Sequence, residues 1–363
     1  MWHGFVKTKD DYEDKNFDYI HYDSKLPGLL ESLNPETIFC LNEKQAEFIE
    51  DLNRSYRVDS DSLTDAITYC RVIKTPWELD QLREASRINN TAHREVMKHL
   101  EPGKFEYEMK AVFDHHNIRR GLTQDAYNGI FASGKNSAIL HYVDNDDLIG
   151  KDDLFLIDAG FEYMGYASDF TRTYPAAGQY NSMQADLYNI VLDAQKKTID
   201  AVQPEVQMED LHMLAARTIM EGLKDVGLVK GNVDDLIDMD IFALFFPHGL
   251  GHFLGLDTHD VGGYPKGVDR IDRPGLKFLR VRRNLESGMV LTIEPGLYFV
   301  PALLEPALEN SKQSQYLDEE RLRELFEFGG IRIEDNIIVT DSGSENMTDV
   351  PKEIDDVEQL MNR

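Results

Sequence analysis

Three apolar stretches of this chain each carry an acid where a buried side chain is expected. Asp158 closes Leu154-Phe155-Leu156-Ile157, Glu294 ends Met289-Val290-Leu291-Thr292-Ile293 just before Pro295-Gly296, and Glu334 alternates with Ile331 and Ile333. A fourth acid, Asp169, lies in Gly165-Tyr166-Ala167-Ser168-Asp169-Phe170-Thr171, which reads as a hairpin partner able to return it beside Asp158. Taken singly, each acid is explained by a salt bridge or a solvent-facing position. Four converging on one core repel one another and would mostly have to protonate. A chain that buries them together needs cations between them.

A nitrogen donor for such a site is available in His248-Gly249-Leu250-Gly251-His252-Phe253-Leu254-Gly255-Leu256-Asp257-Thr258-His259-Asp260. Four oxygen donors against one imidazole form a hard set, which favours manganese, magnesium or cobalt over a thiolate-type zinc site, without excluding zinc. Gly249, Gly251 and Gly255 do not match the dinucleotide-binding fingerprint, because the third glycine is misplaced and no strand leads into them. The run Asp144-Asn145-Asp146-Asp147 lacks the glycine and terminal glutamate of a calcium loop and reads as a solvated turn.

Composition narrows the setting. With 363 residues, the chain is long enough for one large domain and a smaller one. Its net charge of −28 repels phosphate backbones and argues against a nucleic-acid partner. No stretch approaches the roughly 20 apolar residues of a membrane span. Cys40 and Cys70 lack CxxC spacing, and no signal-peptide core precedes Lys9-Asp10-Asp11, so a reducing, cytoplasmic setting is expected.

Along the chain, residues 1–70 read as part of a small α/β unit. Thr75-Pro76-Trp77-Glu78 opens a helix to about Leu100 through a capping-box pattern, and a second helix covers Glu106 to Arg120. Ser182 to Val202 and Glu209 to Val226 are amphipathic helices. Strands follow at Met289 to Glu294 and from Gly330 to Val339. Helices and a strand pair, then helices and strands again, predict an α+β domain of two similar halves.

The ordered blocks Ile157-Asp158-Ala159-Gly160, Ser168-Asp169-Phe170-Thr171-Arg172, His248 to Asp260, Ile293-Glu294-Pro295-Gly296 and Arg332-Ile333-Glu334 resemble the metallopeptidases of the pita-bread fold. Within that group, the histidine stretch followed by His259-Asp260-Val261-Gly262-Gly263-Tyr264 is similar to the Xaa-Pro dipeptidases (prolidases) and the closely related aminopeptidases P. The resemblance runs from about Cys70 to Val350 and more faintly to the N-terminus. It implies a pita-bread catalytic domain over residues 71–363, preceded by a truncated α/β domain over residues 1–70. It also implies a homodimer, and exposed strand edges and apolar surface where the rest of the small domain belongs.

The same resemblance implies two divalent metal ions, with manganese favoured. Asp169 and Glu334 would bridge them, Asp158 would hold one, and His252 and Glu294 would complete the other. A hydroxide shared by the ions would attack the scissile carbonyl. Glu294 would pass a proton to the leaving proline nitrogen, and His259 would stabilise the oxyanion or else support the metal shell. His248 would form a substrate-side wall. Arg280 would recognise the carboxylate that follows proline, helped by His141, with Arg332 a further active-site arginine and Tyr127 a tyrosine of the metal shell. In isolation, Arg280, Arg282 and Arg283 read as a basic cluster facing water. The loop after His141-Tyr142 is shorter than the usual family loop.

The implied activity is hydrolysis of Xaa-Pro dipeptides, a small peptide substrate. Two alternatives stand beside it: an aminopeptidase P acting on longer peptides, and a pita-bread module that has lost catalysis and binds partners.

Overall fold

The computed structural model describes residues 8–12, 19–53 and 55–362, which divide into two compact units, Met1–Tyr69 and Cys70–Arg363. The first unit holds α1 (Leu26–Leu33), β1 (Thr37–Phe39), α2 (Glu43–Leu52), β2 (Arg57–Asp59) and most of α3 (Ser62–Val72). β1 and β2 pair in parallel, with Ile38 opposite Val58. Asn42 caps α2 by accepting from the Gln45 N–H at 3.1 Å.

The second unit opens with α4 (Pro76–His99). Its capping box is formed: Thr75 Oγ1 accepts from the Glu78 N–H at 3.4 Å, and Glu78 Oε2 accepts from the Thr75 N–H at 2.7 Å. The apolar side chains spaced along this helix, Leu82, Ala85, Ile88, Ala92 and Val96, are buried. α5 (Glu106–Ile118) ends before Gly121, whose φ of +89° only glycine adopts easily. A three-stranded antiparallel sheet follows, ordered β3 (Ile130–Ser133), β4 (Leu154–Asp158), β5 (Thr171–Pro175), and Asp158 stands opposite Thr171.

The hairpin partner of β4 begins at Thr171 rather than at Gly165. Residues 161–170 form a loop that turns back through reciprocal Tyr163–Tyr166 backbone hydrogen bonds, so Asp169 precedes the strand.

The second half repeats this order with α6 (Ser182–Asp200), α7 (Met208–Asp225), α8 (Val233–Asp238) and α9 (Phe242–Phe245), then β6 (Val290–Ile293) and β7 (Gly296–Tyr298). It continues through α10 (Pro301–Glu309), α11 (Glu319–Glu324), β8 (Gly330–Arg332), β9 (Asp335–Thr340), β10 (Gly343–Asn346) and α12 (Ile354–Met361). β10, β9 and β6 form one antiparallel sheet, while β7 pairs with β8. Each half therefore places two long helices before a three-stranded antiparallel sheet.

Gly330 to Val339, read as one strand, is two. The chain leaves β7 at Arg332 and joins β6 from Asp335, and the Glu334 N–H donates instead to the Thr171 carbonyl at 3.0 Å. β6 and β7 part in the same way at Glu294-Pro295, where the Glu294 N–H donates to the Leu250 carbonyl at 2.8 Å. Both glutamates thus sit where a strand changes partners. The alternation of apolar residues runs unbroken through such a switch, which hides it from a reading of periodicity.

Two cores brace these sheets. Leu187, Val191, Ala215 and Ile219 of α6 and α7 cluster with Phe242, Phe245, Leu291, Ile293, Ile331 and Ile333. Ile88, Val96, Phe113, Phe131, Phe155, Ile157 and Phe170 form the other. Burying each of these large side chains contributes about 1.5–3 kcal/mol, so the polar positions between them are held by packing on both sides.

Candidate metal centre

Close backbone approaches bring the acids and the histidine together. A Cβ at Gly160 would overlap the Ser168 carbonyl, so glycine there lets the loop that carries Asp169 return against the end of β4. A Cβ at Gly251 would overlap the Thr292 carbonyl, and this lets residues 250–254 run alongside β6. The Thr292 N–H donates to the His252 carbonyl at 2.9 Å and the Leu254 N–H to the Val290 carbonyl at 3.0 Å, which sets His252 beside Glu294.

Asp169, His252 and Glu334 each offer a ligand atom within 4.8 Å of the other two, and all three are buried. His252 Nε2 lies 3.2 Å from Asp169 Oδ2 and 3.7 Å from Glu294 Oε1. Its Nδ1 is 3.0 Å from the Phe253 carbonyl, which accepts the ring N–H and leaves Nε2 toward the acids. Thr171 Oγ1 donates to Glu334 Oε2 at 2.7 Å. Asp158 accepts from Tyr127 Oη at 2.7 Å and from Arg332 Nη2 at 2.6 Å, one bond to each carboxylate oxygen.

The electrostatics match this crowding. Burial, reinforced by Asp169 and Glu294, raises Glu334 well above the ordinary carboxylate range. Burial likewise raises Asp169, against the hydrogen bond from His252, and pushes Glu294 up to about 7. Asp158 goes the other way: burial opposes its ionisation, but the neighbouring Arg332 holds it below its usual value. Carboxylates that resist ionisation for want of positive charge, with an imidazole aimed among them, fit divalent cations bound through oxygen and nitrogen.

These groups line one cavity of about 840 Å³, and Tyr127, His141, His248, His259, Arg280 and Arg332 line it too. The whole set of sequence-derived candidates therefore shares one wall-to-wall space. His248 Nε2 is 2.9 Å from Tyr298 Oη, and burial pushes its pKa down to about 3, so it is neutral near pH 7. His259 packs edge-on to His252, with ring centroids 4.5 Å apart. Burial and His252 keep it below its ordinary value.

Arg332 is heavily engaged. It donates to Asp158, to Tyr298 Oη at 2.9 Å and to Thr171 Oγ1 at 3.2 Å. Arg280 is the opposite: its side chain is exposed to the cavity and forms no hydrogen bond or ion pair among the described residues. The basic cluster next to it does not behave as a unit. Arg282 donates to the Asp269 carbonyl at 2.6 Å, and Arg283 pairs with Glu286 at 2.8 Å, away from the cavity.

Several contributors escape a reading of the sequence. Tyr298 links His248 to Arg332, and Thr171 links Glu334 to Arg332. Arg270, Lys277 and Phe278 add two cations and an aromatic ring to the cavity wall. A polar residue on the apolar β7 was the available signal for Tyr298, whereas the loop residues carry none.

Comparison with known proteins places this geometry. The model of metallopeptidase family M24 matches residues 80–341. The chain is 41% identical over 375 residues to the Xaa-Pro dipeptidase of Mus musculus, covering 99% of this chain and 76% of that protein. It is 43% identical over 303 residues to a probable Xaa-Pro aminopeptidase of Phaeosphaeria nodorum, covering 84% of this chain and 65% of that one. Among solved structures, the Pseudomonas aeruginosa aminopeptidase PepP superposes with a TM-score of 0.83 at 31% identity, covering 99% of this chain and 79% of that one. The family match over residues 80–341, with relatives of this identity along nearly the whole chain, shows that the chain belongs to metallopeptidase family M24 and has the pita-bread fold.

Proposed function

We propose that this chain hydrolyses Xaa-Pro dipeptides, releasing proline, with two divalent cations held by Asp158, Asp169, His252, Glu294 and Glu334. Manganese is the ion favoured by the hard donor set. The observation that carries the substrate class is Arg280, a guanidinium without a hydrogen-bond or ion-pair partner among the described residues, on the wall of the cavity that holds the acid and histidine cluster. An unpaired cation facing a cavity invites an anion, and the carboxylate of a dipeptide ends immediately after proline. Arg270 and Lys277 raise the local positive potential of a chain whose net charge is −28.

The chemistry that a bound pair of divalent cations supplies is Lewis acidity towards a carbonyl and acidification of water. The protein's own groups divide the remaining work. Arg280, with His141 on the same cavity wall, binds the substrate carboxylate. The neutral His259 ring donates an N–H to the carbonyl oxygen as charge develops there. Glu294, beside His252 and facing the cavity, carries a proton to the proline nitrogen. Arg332 and Tyr298 keep Asp158 and His248 in place.

The second reading is an aminopeptidase P acting on longer peptides, favoured by the 43% identity to a probable Xaa-Pro aminopeptidase. Cleavage of Gly-Pro compared with Gly-Pro-Ala, both with manganese, separates them. Preference for the dipeptide supports the first reading, and preference for the tripeptide supports the second.

A further inference from the structure

We infer that Glu106 is a positioning residue for substrate recognition: its buried carboxylate fixes the turn that presents His141 to the cavity. The inference rests on the dipeptidase reading only for what His141 recognises. Glu106 opens α5, where an acid is favoured by the helix N-terminus, and its side chain has no exposed surface. It is none of the acids of the metal centre.

Its two oxygens gather five donors, none of them a cation. Oε1 accepts from the Ser133 N–H at 2.6 Å, from Ser133 Oγ at 2.8 Å and from Asn136 Nδ2 at 3.2 Å. Oε2 accepts from Tyr142 Oη at 2.7 Å and from the Asp147 N–H at 3.0 Å. The Glu106 N–H in turn donates to the Asp147 carbonyl at 3.0 Å. A buried carboxylate satisfied by neutral donors at this density is costly to disturb, because any partner removed leaves a desolvated group unpaired.

All five donors belong to one segment, 133–147, which leaves β3 and carries a tight turn closed by the Tyr142 N–H on the Ile139 carbonyl at 3.1 Å. His141 lies inside that turn. Tyr142 points into the protein, only 6% exposed, with its hydroxyl on Glu106. Its neighbour His141 is exposed and lines the cavity together with Leu140 and Val143. Anchoring Tyr142 therefore fixes the direction in which His141 can project. The same segment docks on β8, where the Gly330 N–H donates to Ser137 Oγ at 2.7 Å, two residues from Arg332. Glu106 thus holds the His141 side of the cavity against β8, the strand that carries Arg332.

Glu106→Gln in the full chain, loaded with manganese, tests this through two readouts. The amide nitrogen of Gln would face donors on whichever side it points. We expect faster hydrogen exchange confined to residues 133–148, with 154–175 and 290–298 unchanged. KM for Gly-Pro should rise about ten-fold with kcat within about two-fold, the pattern of lost substrate binding. Unchanged exchange in 133–148, faster exchange spreading into β4 and β6, or a fall in kcat at constant KM would each overturn the inference. If Glu106→Gln does not fold, Tyr142→Phe removes a single donor and keeps the ring. It should raise KM about three-fold with the same local exchange signature, and wild-type values for both would overturn the inference. Failure of the wild type to cleave Gly-Pro would sink the dipeptidase reading, while the exchange measurement would still uphold or overturn the Glu106 clamp.

Discussion

Arg332 Nη2 lies 2.6 Å from Asp158 Oδ2, with both side chains almost wholly enclosed. The same guanidinium also reaches Tyr298 and Thr171, so one arginine ties β4, β5 and β7 together at the cavity. Lysine carries the charge but not the planar fork needed to reach three partners. Arg332→Lys should therefore lower kcat/KM by about 10- to 100-fold, as loss of a group that orients a ligand does. Steady-state kinetics beside a melting curve check this, and a loss under about three-fold would show that charge alone suffices.

Lys74 and Asp260 form a second enclosed pair, 3.0 Å apart with 1% of each side chain exposed, directly after His259. Arg71 also reaches Asp260. Removing Lys74 takes the cation from Asp260 Oδ2 while Arg71 still holds Oδ1, so Lys74→Met should cost about 1–3 kcal/mol in urea unfolding. The double variant Lys74→Met, Asp260→Asn should recover part of that loss. Additive losses would mean that the pair contributes no coupling.

His212 provides a pH test away from the metal centre. It stacks on Phe246 at 4.9 Å, neither ring nitrogen has a hydrogen-bond partner among the described residues, and burial pushes its pKa down to about 3. The unfolded chain takes up a proton below about 6.5, whereas the folded chain does not. Stability from neutral His212 is thus complete above pH 6.5 and is lost as pH falls towards 3. Between pH 7.5 and pH 5 the wild type should lose about 2 kcal/mol more than His212→Leu in urea titrations. Equal losses would show that His212 is accessible to protons in the folded state.

Removal of cations gives a stability prediction as well as a functional one. Bound only by the folded chain, they stabilise it in proportion to the logarithm of their concentration over Kd. A chelator should lower Tm by several degrees and manganese should restore it, with elemental analysis giving about two ions per chain. A Tm indifferent to both would favour a binding module without catalysis.

How much of this was legible beforehand depends on whether the information is local. An acid at the end of Leu154-Phe155-Leu156-Ile157 contradicts its surroundings within five residues, and Thr75-Pro76-Trp77-Glu78 announces its own helix. Periodicity could not show that Glu294 and Glu334 sit where strands exchange partners, because alternation continues across both breaks. The pairings of Lys74 with Asp260 and of Arg332 with Asp158 span 186 and 174 residues. Nothing local sets Glu106 apart from other acids at the start of a helix, since its five donors lie 27 to 41 residues downstream. Ordinary polar residues that meet only in three dimensions leave no pattern in one.

Arg280 is the group proposed to read a carboxylate after proline. The most direct measurement compares wild type and Arg280→Ala on Gly-Pro and on its C-terminal amide, with manganese present. The wild type should prefer the dipeptide, and the variant should lose about ten-fold or more on Gly-Pro while changing little on the amide. Equal losses on both substrates, or no preference in the wild type, would contradict the dipeptidase reading.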